Sequence, residues 1–457
     1  MSEFDTLNPI HPSAMDLLQP EFLKLAERVC TATPGADRVT LYLNAKDSDF
    51  IRFNRAAVRQ ITRVAQRYAT VAVIRGQRRA ESTLTLTGDL AADTEALLAE
   101  RAQLLADLPA VPEDPHLLLP DSIEGTSRHD HGAVPAATEV VDAVLSHAQG
   151  TDFVGFYQGG AVVRAFADSR GQRNWHKVDS FHFDWCLYHA ADKAVKTGYS
   201  GTHWDSAEFG RRVAAARERL ALLARPVKTL SPGAYRTYLT PVAMTELLGT
   251  LSWGGFGLKA AKTATSTLVK LQRGEATLQP AVQLAERTAA GIAPRFSALG
   301  FVKPDATALI DAGQVAGQLV SPRSAREYGV ATTGANGNES PESLSLSAGT
   351  LPEAEVLQAL GTGIYVSNLW YLNYSDRQAC RMTGMTRFAC FWVENGELVA
   401  PLSVMRFDDS VLRMFGEGLV ALTDSAELIP ESGTYGSRQL ASITTPGALV
   451  EGFNLVL

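Results

Sequence analysis

Asn395-Gly396 separates two runs with strand character, Ala389 to Glu394 and Glu397 to Val404. Both residues accept the positive φ that a two-residue turn demands, which makes this the strongest hairpin signal in the chain. It commits this region to antiparallel pairing. A last run, Ala448 to Val456, stands where a terminal strand would close the same sheet.

Earlier in this half, Gly233 to Pro241 reads as a strand running into a helix start, with Pro241 in the first turn. The helix then carries Thr245-Glu246-Leu247-Leu248-Gly249-Thr250. This is the frame H-E-x-x-x-H with threonine at both histidine positions. Zinc takes imidazole, thiolate or carboxylate donors, and a neutral hydroxyl is a poor ligand. All nine histidines lie at or before His203, so none remains further along. An i, i+5 spacing also sets two side chains roughly 140° apart on an ideal helix. Glu246 keeps the position of a general base, but without a metal-polarised water it has little to activate. It reads as a solvated or hydrogen-bonded helix residue, or as a contact to a partner subunit or substrate.

At 457 residues the chain exceeds one ordinary core, so two or three domains are expected. The best boundary is Arg225 to Gly233, dividing an N-terminal α/β domain (1–227) from a β-rich C-terminal domain (228–457). The expected class is α+β, a layered N-terminal domain followed by a largely antiparallel one with helical insertions. A net charge of −7 without a basic block disfavours nucleic acid as a partner. Met1 to Asp5 has no secretory character, and the uncharged run Leu247 to Leu258 is too short to span a bilayer. Cys30, Cys186, Cys380 and Cys390 show no C-x-x-C spacing, so a reduced, cytoplasmic protein without membrane association is expected.

In the first half, a helix is expected over Asp16 to Ala32 and another over Ala91 to Leu108, on either side of strands between Val39 and Leu86 turning at Arg75-Gly76-Gln77. Residues 109–136, with five prolines, read as a surface connection containing His129 and His131. A meander of short strands follows, turning at Gly159-Gly160 and at Asp168 to Gly171, then helices over Trp185 to Thr197 and Ser206 to Leu223. Gly334 to Pro341 reads as an exposed loop.

The spacing of His182, Cys186 and His189 would align them on one face of a helix, with His176, His129 and His131 as further imidazoles. That set could in principle hold zinc and make the chain a metalloenzyme. Interleaved Phe181, Phe183, Trp185 and Leu187 instead suit a helix entering the core. Cys390, inside a strand, reads as an inert thiol, and no nucleophile elbow or phosphate loop is present.

The order of Gly233 to Pro241, the Thr245 to Thr250 helix, Gly254-Gly255-Phe256-Gly257, Gly361 to Val366, Thr383-Gly384 and Phe391 to Leu402 resembles the TldD/PmbA family. The resemblance implies one subunit of a two-chain cytoplasmic metalloprotease, of the TldE type that lacks the H-E-x-x-x-H ligands. Zinc is then expected on a TldD-like partner and no cofactor on this chain. The family's third ligand, a cysteine near the C-terminus, has no counterpart between Thr444 and Phe453. The resemblance implies a scaffold and substrate-channel role toward unfolded peptides in proteolysis or peptide processing. A homodimeric peptide-binding protein is the other reading. Met385-Thr386-Arg387 replaces the acidic and serine residues common after Thr-Gly, and the stretch with Asn368, Trp370-Tyr371-Leu372 and Asn373 also departs from the family pattern.

Overall fold

The computed structural model describes Met15 and residues 18–130, 132–190 and 193–456. The first five residues, Asp16, Leu17 and His131 therefore lie outside the described residues. The fold is α+β, built on two sheets that share part of one core.

The chain opens with α1 (Leu18–Val29), which buries Leu18, Phe22, Leu25, Ala26 and Val29 along one stripe. Then come β1 (Arg38–Asn54), β2 (Ala57–Arg75), β3 (Arg78–Thr85) and α2 (Leu90–Asp107). Next are β4 (Thr126–Asp130), α3 (Ala137–His147), β5 (Asp152–Asp168), β6 (Arg173–Ala190), β7 (Lys193–Gly201) and α4 (Ser206–Leu223). The strands form a sheet in the order β3-β2-β1-β5-β6-β4, with β7 also on β6. All pairs are antiparallel except β4 with β6. The turn at Gly76 and both flanking helices agree with the sequence reading.

Four expectations for local structure change. The helix over Trp185 to Thr197 is absent: β6 runs through Ala190 and β7 begins at Lys193. The cause is a period of two. Phe181, Phe183, Trp185 and Leu187 are buried on one face, and His182, Asp184, Cys186 and Tyr188 alternate with them. Burying such a side chain contributes about 1.5–3 kcal/mol, so a one-residue slip would expose four at once. That outweighs any local helix preference.

Gly159-Gly160 is no turn either, because β5 passes straight through it. Gly160 has φ +136°, and a Cβ there would collide with the Asp47 backbone on β1. The glycine serves close strand approach. The third change is that the 109–136 connection contains β4. The fourth is that Gly334 to Pro341, though irregular, buries Ala335 and Glu339. The Glu339 carboxylate accepts from the amides of Lys259 and Ser321, which draws the loop inward.

The second sheet contains β8 (Gly233–Leu239), which leads directly into α5 (Pro241–Leu251). It continues with β9 (Leu284–Glu286), β10 (Thr307–Asp311), β11 (Gln314–Val315), β12 (Ser343–Leu346), β13 (Gly363–Val366), β14 (Asn368–Asp376) and β15 (Arg381–Arg387). Last come β16 (Phe391–Glu394), β17 (Glu397–Pro401), β18 (Arg406–Ser410), β19 (Leu419–Pro430) and β20 (Ser442–Leu455). Pairing is largely antiparallel, with β8–β13 and β12–β20 parallel. β16 and β17 form the hairpin at Asn395-Gly396, both at positive φ. The terminal strand β20 lies inside the sheet, between β8 and β12, and also pairs with β18 and β19. One continuous apolar cluster joins Phe153, Phe183 and Trp185 of the first sheet to Tyr365, Phe391 and Leu449 of the second.

Candidate functional site

α5 starts where the sequence places it. Pro241 occupies the first turn, and the Thr240 hydroxyl accepts from the Ala243 amide at 3.3 Å while donating to the Ser367 carbonyl at 2.7 Å. Ala243, Met244, Leu247, Leu248 and Leu251 form its buried face, and the helix packs across β20 and β14.

The two threonines of the H-E-x-x-x-H frame spend their hydroxyl protons within the helix. Thr245 Oγ1 donates to the Pro241 carbonyl, and Thr250 Oγ1 to that of Glu246, each at 2.9 Å. Thr250 is buried, and its own carbonyl accepts from the Tyr374 hydroxyl at 2.9 Å. Beside the helix, β20 offers Ile443 next to Gly249 and no thiol between Thr444 and Phe453. Neutral hydroxyls bonded in this way do not fit a zinc ion.

Glu246 sits one turn before Thr250 on α5, away from the helix's apolar face, near where the two sheets meet. Its surface is accessible, yet protein atoms crowd the carboxyl. This desolvation pushes its pKa above the usual glutamate range, with Lys196 opposing and Glu431 adding to the rise. The facing wall is the polar side of β6 and β7, carrying His182, Asp184, Cys186 and Lys196. Lys196 Nζ lies 3.7 Å from Asp184 and 5.9 Å from the centre of the Phe388 ring. Arg387 stacks on both Phe388 and Trp370, at 5.3 and 4.8 Å.

The end of β19 and the segment after it are tied to the first sheet. Gln158 Nε2 donates to the Ser432 carbonyl and Ser200 Oγ to that of Leu428, both at 3.1 Å. Arg438 then enters the sheet face and donates to Ser48, Gly160 and Ser180.

Residues 232–456 match the family model for the PmbA/TldA metallopeptidase C-terminal domain. The C-terminal half of this chain belongs to the PmbA/TldD family. The PmbA/TldD fold extends to the whole chain. TldE from Thermococcus kodakarensis superposes with a TM-score of 0.75 over 96% of this chain and 100% of its own, at 11% identity. A candidate modulator of a DNA gyrase from Thermotoga maritima gives 0.72 over 97% and 100%, at 14% identity. A third structure, from Bacteroides thetaiotaomicron and described in the same way, gives 0.70 over 98% and 99%, at 16% identity. No curated protein sequence matches the chain.

Within this PmbA/TldD architecture the proposed histidine–cysteine set comes apart. On a strand, His182 and Cys186 share the polar face, whereas His189 falls on the opposite face and is exposed. His176 is buried elsewhere on β6, its Nε2 3.1 Å from the Ile292 carbonyl, and His129 rests on the Trp175 ring. Among the described residues no three His, Cys, Asp or Glu side chains converge as a metal ligand set.

Burial pushes the Cys186 thiol up to about 11, so it is protonated at neutral pH. Burial likewise raises Cys390, whose Sγ–H lies 3.2 Å from the Arg387 carbonyl. Neither is an activated nucleophile. The sequence reading passed over Asp184, Lys196 and Glu431, and noted Arg387 only as a departure from the family pattern after Thr383-Gly384. Strict alternation through Phe181 to Tyr188 could have placed Asp184, but Glu431 carries no local signal.

Proposed function

We propose that this chain is the zinc-free, TldE-type subunit of a cytoplasmic two-chain metalloprotease, with 1–227 and 228–457 as its two domains. A TldD-like partner supplies the zinc and the hydrolytic step. This chain contributes scaffold and one wall of the path along which an unfolded peptide reaches the partner's metal. The observation that carries the reading is the pair of threonine hydroxyls bonded into α5 at the H-E-x-x-x-H positions. The family match over 232–456 and the TldE-like fold support it. Glu246, with Lys196 and Glu431 near it, supplies polar, partly desolvated surface on the same side of the helix.

Co-purification with a zinc-bearing TldD-like chain from the same genome tests this reading. Peptide hydrolysis is then measured with each chain alone and with the mixture. The expected result is a stable complex, activity in the mixture and none in this chain alone. Hydrolysis by the isolated chain would sink the assignment.

A further inference from the structure

Where the two sheets meet, near β6 and β7, a cation is held in place but unused. Arg387 ends β15, and its backbone carbonyl accepts from the Ser367 hydroxyl and the Cys390 thiol. Its guanidinium lies against Trp370 and Phe388, and stacking on two rings restrains the plane of the group. Stacking uses the faces of a guanidinium and leaves its edge, with the N–H donors, for other partners. Among the described residues that edge makes no ion pair and donates no hydrogen bond.

The surroundings narrow the ligand. Lys196, beyond Phe388, is matched by Asp184 at 3.7 Å and also acts on Glu246. Positive charge is therefore left unmatched at Arg387, on the wall opposite Cys186 and Tyr188, within electrostatic range of both. Trp370 and Tyr371 beside it are exposed, at 47% and 80%. Tyr371 and Phe388 both sit at positive φ, +58° and +63°, a backbone state that bulky residues rarely adopt. This backbone carries Phe388, which lies against Arg387, and Tyr371, whose ring packs on Trp370.

We infer that Arg387 is a carboxylate-binding residue that anchors an acidic group of a peptide on the accessible surface beside Trp370, where the two sheets meet. The planar fork matches a carboxylate bidentately, and the flanking rings supply apolar surface for the neighbouring residue. The carboxylate comes either from a peptide C-terminus or from an Asp or Glu side chain. The inference takes from the proposed function only that peptides reach this surface.

The test uses the purified full chain without a partner and a short, labelled, Gly/Ser-rich peptide containing one leucine. Three forms are compared by fluorescence anisotropy at low salt: a free C-terminal acid, the C-terminal amide, and the amide with one internal glutamate. The free acid or the glutamate form is expected to bind more tightly than the plain amide. Arg387→Gln should remove about tenfold or more of that preference. Arg387→Lys should restore part of it, and added salt should weaken it.

Preference for the free acid alone assigns the terminus, and preference for the glutamate form assigns the side chain. Equal binding of all three forms to wild type and Arg387→Gln, or binding of none, overturns the inference. Thermal melts of both variants separate loss of binding from loss of folding. With no partner in the assay, its outcome is independent of whether the two-chain reading holds.

Discussion

Arg438 Nη1 donates to Ser48 Oγ at 3.1 Å across 390 positions of sequence. The same guanidinium reaches the Gly160 carbonyl and both oxygens of Ser180 at 2.9 Å, so one side chain ties the segment between β19 and β20 to β1, β5 and β6. It is 4% exposed, and desolvation pulls its pKa down to about 10, still well above neutral. The charge is therefore kept and shared among neutral acceptors.

Truncating this side chain strands several buried acceptors at once. Arg438→Ala should destabilise the protein by about 2–4 kcal/mol. Arg438→Lys, which keeps the charge but loses the fork, should cost less. Urea unfolding of the three proteins, followed by tryptophan fluorescence, checks the order; equal midpoints would show that the staple is dispensable.

His176 sets a pH dependence. Burial, reinforced by the Arg128 guanidinium, lowers its pKa from 6.5 to about 4, against the pull of its bond to the Ile292 carbonyl. Its folded value lies below its unfolded one. Between pH 6.5 and 4 the unfolded chain therefore binds a proton that the folded chain refuses, and stability falls as pH falls through that window. The loss is on the order of 1–3 kcal/mol. His176→Gln, which can still donate to Ile292, should flatten this slope; urea midpoints at pH 7.5 and 5 compare the two.

Rebuilding the zinc frame should fail. In Thr245→His/Thr250→His the second imidazole enters a buried site, which costs about 1–3 kcal/mol by overpacking. The two rings project roughly 140° apart, and β20 offers no thiolate as a third ligand. Melting temperature should drop, and zinc retained after dialysis should stay well below one per chain. A tightly held equivalent would show that the hydroxyl pair alone kept the metal out.

Glu246→Gln separates a base from a bystander. Desolvation raises the folded pKa of this glutamate above its unfolded value, so the folded chain favours the protonated form. Its contribution to stability declines as pH rises through the folded value. The glutamine variant should therefore be as stable as wild type at neutral pH, or slightly more so. In the two-chain hydrolysis assay it should keep activity within a few-fold of wild type; a loss of about a hundredfold or more would make Glu246 a catalytic base.

Much of the fold was legible because its signals are local. Asn395-Gly396 specifies its own turn, Thr240-Pro241 its own helix start, and the stripe from Leu18 to Val29 its own buried face. Phe181 to Leu187 misled because a histidine–cysteine spacing that suits a helix was weighed above a strict period of two. Tertiary burial of the four apolar residues decides for the strand. Gly159-Gly160 misled for a related reason: glycine permits a turn, but here it permits two strands to touch.

The sequence by itself determined that imidazole is absent after His203 and that threonines occupy the ligand frame of α5, because residue identity alone limits donor chemistry. Only the tertiary structure decided that Lys196 comes near Glu246 and, across the Phe388 ring, near Arg387, and that Arg438 closes onto Ser48. Local propensity acts over a few neighbours. Those charges are brought together by two sheets packed on a shared apolar core, a contact that no stretch of sequence records.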